Sequence, residues 1–189
     1  KVPVGKDQEQ HLEYTRVLAR RFNNMYQSPL FPEPEAFNYG SDLIKIPGLD
    51  GNGKMGKSEN NGIFLIDDEA TITKKVKKAV TGMTPTEPNS PMTEEVNNLF
   101  TIMKVVSSQD TIQFYRDKYN SCEIRYGDMK KQLAEDICKL TLPIRERILE
   151  ILKDDEYLRK VAKMGAEKAR ESASKTVYEL KKLIGFKNF

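Results

Sequence analysis

A run of prolines and glycine between Thr81 and Pro91 divides this chain into two unlike parts. Gly82, Pro85, Pro88 and Pro91 stand there among Thr, Asn and Ser, a composition that favours turns and interrupts both helix and sheet. Before this segment, short apolar runs alternate with helical patterns. Beyond it, apolar residues recur almost wholly at helical spacing. Any fold for the chain has to join an α/β-looking part, 1–81, to a helical part, 82–189.

The helical part is the more regular. Val96, Leu99, Phe100, Met103 and Val106 form one stripe, and Ile112, Tyr115 and Tyr119 a shorter one. Met129, Leu133, Ile137, Leu140, Ile144, Ile148 and Ile151 step by three or four and predict a long helix with one buried face. Pro143 lies inside it. Without a backbone N–H, Pro143 leaves the Lys139 carbonyl unpartnered, so a kink or break is expected. Leu158, Val161, Ala162, Ala169, Ala173, Val177, Leu180 and Ile184 continue into a last helix. The Met and Ile stripes read as core rather than as a cofactor pocket.

The first part opens with Val2-Pro-Val4, read as a strand, then Gly5, Lys6 and Asp7. A helical pattern follows through Leu12, Thr15, Val17, Leu18 and Phe22, with Asp7 as its expected N-cap and Gln10 as the capping-box partner. A strand, a glycine turn and a helix start together favour an anion or a ribose hydroxyl, although Gly5 could simply turn the chain. From Asn23 to Asn38 the helix stops, and Pro29, Pro32 and Pro34 predict irregular chain. Leu43 to Ile46 and Ile63 to Ile66 read as short strands or buried runs. Asp67-Asp68 then caps a helix with Ile72, Val76, Ala79 and Val80 on its apolar side and Lys74, Lys75, Lys77 and Lys78 on the other. That lysine face suits solvent, or a nucleic acid.

Gly51-Asn-Gly-Lys-Met-Gly-Lys-Ser58 concentrates glycine and lysine as no other stretch does. Such a loop can gather backbone N–H groups and two ammonium groups, Lys54 and Lys57, on one phosphate chain. A solvated turn has the same composition. The order of residues is not the Gly-x-x-x-x-Gly-Lys-Ser/Thr phosphate loop. Two lysines flanking a flexible turn fit a triphosphate whose departing pyrophosphate gathers charge.

Composition narrows the chemistry. The single histidine, His11, rules out a Ser/His/Asp set once it is assigned to a helix start, and Cys122 and Cys138 have no zinc spacing. No metal site is expected, and two unpaired thiols suit a reducing cytoplasm. The net charge of +3 is a mild basic bias concentrated in residues 141–189, too small to establish a nucleic-acid partner. No apolar run is long enough to span a membrane.

Lys54-Met-Gly-Lys-Ser58 resembles the Lys-Met-Ser-Lys-Ser signature of class I aminoacyl-tRNA synthetases. Val2-Pro-Val-Gly-Lys-Asp-Gln8 with His11-Leu-Glu and Thr15-Arg16 is similar to the matching segment of bacterial tryptophanyl-tRNA synthetases. So are Ile63-Phe-Leu-Ile-Asp-Asp68, Thr71 to Thr81, Pro143-Ile-Arg-Glu-Arg147 and Gly165-Ala-Glu-Lys-Ala169. The resemblance covers essentially the whole chain. It implies the later part of a Rossmann-type catalytic domain in residues 1–81 and an all-α anticodon-recognition bundle in 82–189. The last helix, near 175–189, would pack back on the catalytic part.

The family activates L-tryptophan with ATP, forming tryptophanyl-AMP and pyrophosphate, and then loads tRNA(Trp). By resemblance, Gly5, Lys6, Asp7, Leu43, Ile44, Lys54, Met55, Gly56, Lys57 and Ser58 would bind ATP, with Asp7 towards the ribose. Lys54 and Lys57 would be catalytic. Val2, Val4 and Gln8 would line or support the tryptophan pocket. Mg2+ would accompany ATP, and the whole enzyme would be a cytoplasmic homodimer. Two positions depart from the pattern: Gly56 replaces a usual serine, and Lys6 stands where an acidic residue is frequent. The family's His-Ile-Gly-His-type signature is absent, so the chain reads as a C-terminal part expected to be inactive alone. The alternatives are a tRNA-binding module or truncated paralogue without catalysis, and a tyrosyl-tRNA synthetase relative.

Overall fold

The computed structural model describes residues 1–37, 45–51 and 53–186. The chain is mostly helical: β1 (Val2–Pro3), a short 3-10 turn (Lys6–Gln8), α1 (Glu9–Tyr26), β2 (Ala36–Phe37), α2 (Glu69–Lys77), α3 (Glu94–Val106), α4 (Gln109–Asn120), α5 (Tyr126–Leu152) and α6 (Asp155–Leu183). Two compact units emerge, one from residues 1–44 with 156–189, the other from 45–155.

The 45–155 unit is built by stripes that meet. Ile72 and Val76, one turn apart on α2, are fully buried in a single cluster with Val96, Leu99, Phe100 and Met103 of α3. Ile112, Tyr115 and Tyr119 of α4 and Met129, Leu133 and Ile137 of α5 complete it. Each such side chain contributes roughly 1.5–3 kcal/mol by leaving water. The buried tyrosines satisfy their hydroxyls on backbone carbonyls: Tyr115 donates to Asp128 at 3.1 Å and Tyr119 to Pro91 at 3.2 Å. Asp68 caps α2 by accepting from Thr71 N–H at 2.8 Å, and the Thr71 hydroxyl, followed by that N–H, holds its carboxyl below the ordinary carboxylate range. Ser108 caps α4 in the same way, at 3.2 Å.

The proline-rich segment does not separate the compact units. Val80 N–H donates to the Leu49 carbonyl at 2.9 Å, Asn89 N–H to Asn120 at 3.0 Å and the Tyr126 hydroxyl to Met83 at 3.2 Å, all inside the 45–155 unit. Composition marks a change of local structure there, whereas the compact units follow the burial of α2 with α3 and α5.

Pro143 lies within α5, and the helix runs unbroken from Tyr126 to Leu152. Pro143 is exposed, and two residues earlier the Thr141 hydroxyl donates to the Ile137 carbonyl at 2.9 Å. The buried stripe fades at the same point, since Leu140 and Ile144 are exposed.

In the other unit, β1 pairs in parallel with β2, Val2 opposite Ala36. The strand expected at Val2 thus finds its partner inside the stretch expected to be irregular. The N-cap expectation is corrected: Lys6–Gln8 form the 3-10 turn and α1 begins at Glu9, with Gln8 as a cap residue whose side chain makes no capping bond. The α1 helix also passes Asn23 and ends at Tyr26, where Gln27 takes a left-handed φ of 47°. Asn23 holds the next loop, donating to the Phe31 carbonyl at 2.8 Å and accepting from Phe31 N–H at 3.1 Å. Only Leu12 and Ala19 of α1 are buried; Val17 and Leu18 are exposed. No described residue of α6 is buried, so its stripe is not core in this chain.

Ile63 to Ile66 is a turn rather than a strand. Asp67 N–H donates to the Phe64 carbonyl at 3.0 Å, and the Asp67 carboxylate accepts from Phe64 N–H at 2.9 Å. Leu65 and Ile66 are exposed. Leu43 and Ile44 lie outside the described residues.

Candidate functional site

The glycine–lysine loop is a closed turn with an ordered base. Pro47 and Lys54 form an antiparallel bridge, and Met55 N–H donates to the Ile46 carbonyl at 2.9 Å. Between them Gly51 and Gly53 take φ of +80° and +56°, which side chains with a Cβ rarely adopt. Lys54, Lys57 and Ser58 are exposed, and Met55 and Gly56 are half-buried. Among the described residues neither lysine forms a salt bridge, so both ammonium groups are available to an anion. Ser58 donates to the neighbouring Glu59 at 3.3 Å.

The floor of the turn is a buried asparagine that sequence reasoning missed. Asn61 is 6% exposed. Its Oδ1 accepts from Gly56 N–H at 2.9 Å, and its Nδ2 donates to Asp50 Oδ1 at 3.0 Å and to the Lys54 carbonyl at 3.4 Å. Its own carbonyl accepts from Leu49 N–H at 2.9 Å. A Cβ at Gly48 would come within 2.2 Å of Asn61 Nδ2, so glycine is required there. A cleft of about 280 Å3 opens beside this floor, lined by Asp50, Asn61, Lys75 and Lys78 among others.

Lys75 leaves the lysine face and becomes a structural tie. Its ammonium donates to the Gly62 carbonyl at 3.0 Å and to Asp67 Oδ2 at 2.6 Å, and sits 4.7 Å from the Phe64 ring centroid. Arg145 of α5 donates to the Ile66 carbonyl at 3.0 Å. The chain leaving the lysine loop is therefore tied to α2 and α5, while Lys74, Lys77 and Lys78 remain exposed.

The second predicted cluster is continuous in the 1–44, 156–189 unit: Val2 in β1, Val4 and Gly5 after it, and Lys6, Asp7 and Gln8 in the 3-10 turn. Gly5 has φ −77° and ψ 165°, an extended conformation open to any residue. Gln8 N–H donates back to the Gly5 carbonyl at 3.0 Å. Val2, Val4 and Gly5 are half-buried, while Lys6 and Gln8 are exposed. Among the described residues no three His, Cys, Asp or Glu side chains could jointly hold a metal ion. No described helix is long and apolar enough to cross a membrane.

The loop signature and its flanking turns define a class. The chain matches the family tRNA synthetases class I (W and Y) over residues 1–141 and belongs to it. Within that class it is 57% identical over 187 residues to the tryptophan–tRNA ligase of Porphyromonas gingivalis, covering 99% of this chain and 57% of that protein. The tryptophan–tRNA ligase of Chlamydia caviae is 36% identical, with 95% of this chain and 51% of the relative covered. The crystal structure of tryptophanyl-tRNA synthetase from Campylobacter jejuni complexed with ADP and tryptophan matches at a TM-score of 0.76 and 32% identity, over 97% of this chain and 56% of that one. The chain thus spans about half the length of the relatives it matches.

Proposed function

We propose that the protein carrying this chain joins L-tryptophan to tRNA(Trp) through tryptophanyl-AMP. The observation that carries this reading is the Lys54–Ser58 loop, closed over a buried amide, with both ammonium groups outside any salt bridge among the described residues. In the activation step the tryptophan carboxylate attacks the α-phosphorus of ATP and pyrophosphate departs. Negative charge grows on the leaving group, and fixed positive charge aimed at it lowers the barrier. Lys54 and Lys57 supply that charge, and Mg2+ arrives with ATP as part of the substrate.

Gly5, Lys6 and Asp7, with Leu43 and Ile44, complete the ATP site in this reading. Val2, Val4 and Gln8 line or support the tryptophan pocket. Its ground is the similarity to relatives named tryptophan–tRNA ligase and to a neighbour whose structure holds ADP and tryptophan. Residues 1–81 belong on this reading to a Rossmann-type catalytic part and 82–189 to a helical part that meets the anticodon end of tRNA. The whole enzyme is a cytoplasmic homodimer, and the 189-residue chain alone does not activate tryptophan.

Tryptophan-dependent ATP–pyrophosphate exchange tests this. In the whole enzyme, Lys54→Ala and Lys57→Ala should each lower kcat by about a hundredfold to a thousandfold, or roughly 2.7–4 kcal/mol of lost transition-state stabilisation. Exchange by the 189-residue chain alone would overturn the claim that it does not activate tryptophan by itself. Salt-dependent tRNA binding without any exchange by the whole protein would favour a binding module instead.

A further inference from the structure

We propose that Asn61 is the positioning residue of the lysine loop, setting where Lys54 and Lys57 stand during pyrophosphate release. The inference rests on the activity proposed above. Asn61 touches the loop at both lysine-bearing ends: it donates to the carbonyl of Lys54 at 3.4 Å and accepts from the N–H of Gly56, the residue before Lys57, at 2.9 Å. Its remaining donor goes to the Asp50 carboxylate, 3.0 Å away, in the turn that enters the loop. One buried amide thus closes entry, turn and exit. A carboxylate acceptor makes the Asp50 bond the stronger kind, and burial makes losing any of the three costly.

The hydrogen bonds of Asn61 call for an amide. The Gly56 bond needs an acceptor and the Asp50 bond needs a donor, and within a side chain of this length only asparagine offers both. On the loop's side the Gly56 bond uses only the backbone N–H, so it survives glycine in place of the serine frequent at that position in the family. Asn61 lies below the turn and is buried, while both lysines are exposed. It therefore acts on the phosphates only through the lysines.

The test is a substitution cycle in the whole enzyme, read by tryptophan-dependent ATP–pyrophosphate exchange, by circular dichroism for folding and by amide hydrogen exchange at Gly56. Asn61→Ala should lower kcat about 10–100-fold, as small misplacements of reacting groups do, with KM for tryptophan unchanged and Gly56 protection lost. Asn61→Asp alone sets two carboxylates against each other and should fall at least as far. Asn61→Asp combined with Asp50→Asn exchanges donor and acceptor across the 50–61 bond and removes the charge clash, so it should keep the Gly56 protection and recover part of the kcat lost in Asn61→Asp, the Lys54 carbonyl still lacking its donor.

A folded Asn61→Ala enzyme with unchanged kcat overturns the proposal. So does a folded exchanged pair that stays as slow as Asn61→Asp. If Asn61→Ala does not fold, the exchanged pair decides. If neither folds, Asn61 is a scaffold residue and the positioning role is overturned. Failure of the functional reading looks different: the unsubstituted enzyme then shows no tryptophan-dependent exchange, whatever Gly56 does.

Discussion

Leu133 and Leu18 both lie on amphipathic helices, yet Leu133 is fully buried and Leu18 is 65% exposed. The contrast holds for the units that contain them. In residues 45–155 the stripes of α2, α3, α4 and α5 meet in one cluster. In the unit of residues 1–44 and 156–189, α1 buries Leu12 and Ala19, and the described residues of α6 bury nothing. Helical periodicity orients apolar side chains to one face, but only a second face arriving from elsewhere removes that face from water. The lysine loop sits in the unit whose faces are met. Its floor, from Leu49 through Asn61 to the Lys75 tie, is anchored in that packing.

The contrast can be broken most forcefully at Phe100, which is 2% exposed in the centre of α3. Phe100→Ala should destabilise the 45–155 unit by about 3–5 kcal/mol in denaturant unfolding. A loss below about 1 kcal/mol would mean that the cluster is not the core of that unit.

A smaller effect separates the two thiols. Cys138 is buried on α5, and burial pushes its thiol pKa up, so little reactive thiolate forms. Cys122 is half-buried in the turn after α4. Alkylation of the native chain at pH 8, followed by peptide mass mapping, should label Cys122 readily and Cys138 markedly more slowly. Unfolding should equalise them. Equal labelling in the native state would mean that α5 opens easily.

The smallest effect is expected at Leu18. With its side chain largely in water, Leu18→Ala should change the stability of this 189-residue chain by no more than about 0.5 kcal/mol. A loss of several kcal/mol in the chain alone would show that α1 is packed after all.

Much of the helical part was legible because its stripes repeat strictly: Val96, Leu99, Phe100 and Met103, then Met129, Leu133 and Ile137, are all buried as their spacing implies. Ile63 to Ile66 was not. An apolar run without a period suits a strand, and the competing hydrogen bonds from Asp67, Lys75 and Arg145 come from residues up to 79 positions away. The cap expected of Asp7 failed differently. The chain forms a 3-10 turn where a helix start was read, and boundaries of that kind turn on local geometry that residue types only loosely specify.

By itself, the sequence determined which residues could face a common core, where the chain changes character at Thr81 to Pro91, and that Lys54 and Lys57 flank a glycine turn. These are local properties, carried by residue type and short spacing. Only the tertiary structure decided which stripes are covered, that α2 shares a core with helices beyond the proline segment, and that Asn61 holds the floor of the lysine loop. The physical reason is the same in each case. Burial and the satisfaction of a buried amide depend on groups distant along the chain, Asp50 for Asn61 and α3 with α5 for α2, and no local pattern specifies where those groups arrive.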